Sequence, residues 1–212
     1  MSRAYKILGA RRRPCHGGTG QWPPPGEWLR VDGPLVACEH GLHLCREQDL
    51  VRWLGPEIWL AEYDDDAEVV VAPDKLIVRR ARLIERVEAW TETTARLFAA
   101  DCAEHALPVY ERRYAEDARP RRAIAAARAY ARGEIDAAAL AAARDAAWAV
   151  ARDAARDAAW DAAWSAAWDA ALAAARAAAS DAASDAALSA ARDAERTWQT
   201  ARLIAYLRGE VS

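Results

Sequence analysis

The densest group of chemically competent side chains is Cys38-Glu39-His40-Gly41-Leu42-His43-Leu44-Cys45, with Cys15-His16 upstream in a glycine-rich stretch. Thiolates and imidazoles are the donors zinc prefers, so Cys15, Cys38, His43 and Cys45 form a candidate ligand set, although their spacing matches no standard finger. The same residues also read as packing. Leu42-His43-Leu44-Cys45 alternates as a strand does, and buried thiols beside a hydrogen-bonded imidazole are the stronger reading. A Cys/His nucleophilic pair is the weakest, because no third residue can be named to orient it. No cofactor is expected, with zinc the one competitor.

A second group is Asp101, Glu104, His105, Glu111, Asp117, Arg119 and Arg121. Asp101, Glu104 and His105 share one helix face at i, i+3 and i+4. Carboxylates with a histidine could bind a metal, but no HExxH or second Glu-x-x-His is present, which favours an ion-pair network with Arg119 and Arg121 holding a turn to the helix. Phosphate loops, GxGxxG and GxSxG are missing from the sequence. The run Arg79-Arg80-Ala81-Arg82 falls on a predicted strand with acidic neighbours and reads as a solvated face. With a formal net charge of −3, neither nucleic acid nor membrane is an expected partner.

The elements that must position these groups divide by composition near Trp90. Before it lie nearly all the prolines and glycines; after it the sequence is helix-forming almost without break. We therefore expect an α+β protein with a small mixed N-terminal domain at 1–90 and a larger all-α, alanine-rich bundle at 91–212. The predicted strands are 4–8, 27–31, 57–63, 68–71 and 75–78, with one short helix at 46–54. Residues 12–26, holding Gly17, Gly18, Gly20 and Pro23-Pro24-Pro25, must be loop. A helix from Thr91 should stop or kink at Pro108, with a second piece over 109–114. The next should start near Pro120 and end at Gly133, and Asp136 suits an N-cap. Four cysteines are too few for a disulfide scaffold, and no apolar stretch of about 20 residues exists to span a bilayer, so a cytoplasmic location is expected.

Beyond Asp136 a four-residue rhythm takes over, with Ala-Ala preceding Trp148, Trp160, Trp164, Trp168, Leu172 and Leu188. Four residues overshoot a helical turn by about 40°, so the stripe precesses and a heptad coiled coil is unavailable. The segment should break into two to four helices, most readily at Ser180-Asp181 and Ser184-Asp185. Asp157, Asp161, Asp169, Asp181 and Asp185 would give it an acidic face for a partner.

Asp101-Cys102-Ala103, Leu107-Pro108, Glu111, Asp117, Arg119-Pro120-Arg121, Ala123-Ile124, Ala126-Ala127-Arg128-Ala129 and Gly133-Glu134, with Trp198-Gln199, Arg202-Leu203 and Tyr206-Leu207 near the end, resemble a known helical family. It is the alanine-rich immunity-protein family of bacterial polymorphic-toxin systems, and the likeness covers roughly 95–208. The resemblance implies a non-catalytic protein that binds a bacterial protein, a toxin, through its helices. The N-terminal part, with Trp22-Pro23, Gly41-Leu42-His43 and Cys45, resembles an uncharacterised actinobacterial α+β domain and, in layout, small ADP-ribosyltransferase-like folds. That implies a nucleotide-handling or degenerate enzyme as the alternative, with Tyr5, His43 and Glu62 as contacts. A zinc-stabilised structural module is the third reading.

Overall fold

Alternation decides the strands. Along Arg80–Arg86, Ala81 and Leu83 are fully buried while Arg80, Arg82 and Ile84 between them are only partly covered, the period-two pattern of a strand with one face on a core. The computed structural model describes residues 1–112, 114–143, 145 and 177–211. Its strands are β1 (Ser2–Leu8), β2 (Trp28–Arg30), β3 (Leu42–Leu44), β4 (Glu57–Tyr63), β5 (Val69–Ala72), β6 (Lys75–Val78) and β7 (Arg80–Arg86). They form a four-stranded sheet in the order β1-β4-β7-β2 and a three-stranded sheet in the order β3-β6-β5. Every pairing is antiparallel.

A backbone bridge joins the two sheets. Tyr5 N–H donates to Cys45 O at 2.8 Å and Cys45 N–H to Tyr5 O at 2.7 Å. Ala4, Leu8, Trp59, Ala61, Ala81 and Leu83 from the first sheet share one core with Leu42, Leu44, Leu76 and Val78 from the second, closed by Trp22 from the long loop. Burial of such side chains stabilises by about 1.5–3 kcal/mol each, which is why seven short strands hold together. The expected strands at 57–63 and 75–78 match in extent, and those at 4–8, 27–31 and 68–71 shift at their ends. The short helix expected at 46–54 is instead a 3-10 helix, Glu47–Arg52. Asp49 tightens its start, accepting from Arg46 N–H at 3.2 Å and from the Arg46 guanidinium at 2.5 and 3.0 Å.

The helices are α1 (Glu92–Glu111), α2 (Arg119–Ala131), α3 (137–143) and α4 (Ala177–Leu207). Thr91 begins α1, its hydroxyl accepting from Thr94 N–H at 3.1 Å. Pro108 does not end this helix: it lies inside α1, one turn before the end, where the missing N–H costs a single bond and Arg112 N–H still reaches Pro108 O at 3.2 Å. Gly133, at φ +75°, caps α2, and Asp136 caps α3 through Ala139 N–H at 2.8 Å.

The separate piece expected over 109–114 is absorbed into α1 as far as Glu111, and a second expectation is overturned beyond residue 177. No break occurs at Ser180-Asp181 or Ser184-Asp185, since α4 runs through both for 31 residues. Serine and aspartate are weaker helix formers than alanine by only some tenths of a kcal/mol each, and without Gly or Pro their alanine neighbours carry the helix across. The tetrads bearing Trp148, Trp160, Trp164, Trp168 and Leu172, with Asp157, Asp161 and Asp169, lie outside the described residues.

The class is α+β. The chain forms two compact units, one of Met1–Ala95 with Arg196–Ser212, the other of Arg96–Glu195. In the first, Trp90, Leu203 and Tyr206 are buried, and Arg208 stands 3.9 Å from Glu47. Among the described residues no helix is long and apolar enough to cross a membrane.

Candidate functional site

Strand pleating puts Lys6 on the same face of β1 as Ala4 and Leu8, the face that meets the second sheet. A lysine there is held by its stem and by what its ammonium can reach. Its Nζ lies 5.2 Å from the Trp22 ring centroid and donates to His43 O at 2.9 Å. Burial pulls its pKa below the ordinary lysine value. Lys75, nine-tenths buried at the β5–β6 turn, donates to Cys38 Sγ at 3.1 Å, sits 4.4 Å over the Trp53 ring and is 3.8 Å from Asp74.

These two lysines look into one cavity of about 230 Å³, which Cys15, Cys38, His43 and Cys45 also line. All four residues of the predicted zinc set therefore reach one place. Two of their ligand atoms have other work, however. His43 Nε2 accepts Cys38 N–H at 3.0 Å, and Cys38 Sγ takes the Lys75 bond. Burial, then the charges of Lys6 and Lys75, pull the His43 pKa down and keep its ring neutral. Among the described residues, the group of three ligand atoms lying within 4.8 Å of one another is elsewhere, at Asp64, Asp65 and Asp66. That cluster is partnered: Asp65 accepts from the terminal amine and from Ser2, which hold its pKa down to about 2, and Asp64 faces Arg80 at 3.6 Å.

His16 closes another side of the cavity. Its Nε2 meets Trp53 O at 2.8 Å and Leu54 O at 3.1 Å, two acceptors, so this nitrogen carries the proton. Of the residues suggested for nucleotide contact, His43 lines the cavity, whereas Tyr5 and Glu62 lie on the opposite face of β1 and β4. Glu62 accepts from the Arg82 guanidinium at 2.7 and 3.1 Å.

The thiols differ in reactivity for a stated reason. Burial pushes Cys45 up to about 12 and raises Cys15 as well. At pH 8 Cys45 therefore stays in the unreactive thiol form. Iodoacetamide at that pH is expected to label exposed Cys38 in the native protein and Cys45 after denaturation, as peptide mass spectrometry would show. Equal native labelling rates at the two would contradict the buried placement.

The second residue group is spread over α1 and α2. Arg128 Nη2 donates to Asp101 at 2.7 Å and to Glu104 at 2.6 Å, so one guanidinium on α2 ties two carboxylates on α1. This raises the Arg128 pKa and lowers that of Glu104. Arg121 donates to Glu111 at 2.6 and 3.1 Å, Arg119 to Asp117 at 2.8 Å, and His105 Nε2 lies 3.3 Å from Glu195. The arrangement is one of acid–base pairs between and within helices. Sequence reasoning missed Arg128 as the hub, though its place four residues past Ile124, within the Ala-Ala-Arg motif, marked it. It also missed Lys6 and Lys75; of 29 basic residues these are the only lysines, a rarity that composition displays.

The family model described as Imm-5 like putative immunity protein matches residues 85–206, more than half of the chain. The chain belongs to that family. No curated protein and no solved structure matches it. The cavity, built from residues 6–75, falls outside the matched segment.

Proposed function

We propose that this protein is a non-catalytic immunity protein that binds a bacterial partner, a toxin, in the cytoplasm through an alanine-rich helical bundle within residues 91–212. The observation that carries the reading is the family match over 85–206. The paired residues of α1 and α2 support a division of labour. Asp101, Glu104, Glu111, Asp117, Arg119, Arg121 and Arg128 serve one another, so they hold the scaffold, and recognition belongs to the acidic residues of the repeats. Asp157, Asp161, Asp169, Asp181 and Asp185 are the proposed contacts, and a basic surface on the toxin would complement them.

The test is co-expression with the proteins encoded by the neighbouring genes, with a toxin expected among them, scored by rescue of growth and by calorimetry on the purified pair. Changing the five aspartates to lysine is expected to slow association, weaken binding by 100-fold or more as an order of magnitude, and abolish rescue. Undiminished binding by that variant would remove the acidic contacts from the proposal. A toxin that neither binds nor is neutralised by the parent protein would remove the proposal itself.

A further inference from the structure

The cavity between β1, β3 and the Gly17-Gly18 loop gathers both lysines of a chain that otherwise uses arginine for positive charge. Lysine differs from arginine as a compact ammonium with three rotatable donors, suited to a small oxyanion and not to a planar fork. Among the described residues Lys6 pairs with no carboxylate; its ammonium has the His43 carbonyl and the Trp22 face. Lys75 has Asp74 at 3.8 Å and the Cys38 thiol. An ammonium kept largely from water without a close counter-ion is costly unless an anion completes it. Ile7, Leu44 and Trp53 give the cavity apolar walls, and Glu39 is the carboxylate on its rim.

We propose that this cavity is a binding site for a small metabolite bearing a phosphate or carboxylate group, held between the ammoniums of Lys6 and Lys75 with its apolar part against Trp53 and Leu44. Two ammoniums beside the thiols repel a metal cation, which sets this site apart from a zinc centre on the same residues. The inference stands apart from toxin binding, since every lining residue lies outside the family match.

The experiment uses the full chain labelled with 13C at lysine Cε, which has two reporter positions. Inorganic phosphate, glycerol 3-phosphate and succinate are titrated in separate arms, with sodium chloride at matched ionic strength as the control. Expected is a saturable shift of both lysine signals with one dissociation constant; whether the phosphate or succinate arms give it identifies the head group. In Lys6→Gln the Lys75 signal, and in Lys75→Gln the Lys6 signal, should report binding weakened by about tenfold or more, the worth of one charge-assisted hydrogen bond. Near-ultraviolet circular dichroism matching the parent shows which variant is folded, and one folded variant suffices. Shifts no larger than those in sodium chloride, or affinity undiminished in a folded variant, would overturn the proposal.

Discussion

Gly41→Ala is expected to destabilise the N-terminal unit by about 2–5 kcal/mol, the largest effect of any single methyl group in the described chain. Gly41 has φ +129°, outside what a side chain accepts, and a Cβ there would collide with Ile77 Cγ2 and stand 3.2 Å from Leu35 Cδ2. Ile77 is fully buried at the centre of the three-stranded sheet, paired with His43 on one side and Val70 on the other, so it has nowhere to move. Urea unfolding followed by tryptophan fluorescence should show a lower midpoint with an unchanged slope. Ile77→Ala leaves a cavity with its own cost, but in that background Gly41→Ala should cost less than in the parent, because the collision is cleared and the backbone strain alone remains. A loss below about 0.5 kcal/mol in Gly41→Ala would mean that the turn adopts a different backbone.

Arg128→Ala comes next, at about 2–4 kcal/mol from the helical unit. Removing the guanidinium takes a charge-assisted bond from Asp101, which is 8% exposed, and losing one side of so well buried a pair costs more than the pair contributed. Glu104 is half exposed and its share is screened. Arg128→Lys should recover part of the loss, since one nitrogen makes both bonds. The pH dependence has a definite sign. Arg128 depresses the Glu104 pKa, so that contribution is fully present above the ordinary value of 4.5 and is lost as the pH falls through the depressed one. The difference between parent and Arg128→Ala in urea midpoint should therefore shrink on acidification from pH 7. A difference that grows would refute the pairing.

The strands were legible because alternation and turn residues act locally: Glu57–Tyr63 and Lys75–Val78 announce both ends by the residues around them. The joining of the two sheets was not, since the Tyr5–Cys45 bridge depends on backbone groups 40 residues apart that leave no trace in side-chain pattern. Aspartate and serine at 180–185 suggested a helix boundary, yet propensity is a weak force, and the surrounding alanines decide in favour of continuity. The thiol and imidazole residues drew notice by their chemistry, and they do meet in one cavity. What no spacing foretold was the pair of lysines between them, brought together from positions 6 and 75 only by the pairing of strands.

The burial of Leu203 and Tyr206, in a unit that opens at Met1, sets an order of assembly. A ribosome making this chain finishes the seven described strands before residue 90, yet Leu203 and Tyr206 of the same unit emerge some hundred residues later. The sheets can close their shared core from residues before 90, while the interior that Leu203 and Tyr206 complete stays open to water and to chaperones until then. Translation of the alanine repeats thus separates in time the closing of the sheet core from the completion of the unit to which both chain segments belong.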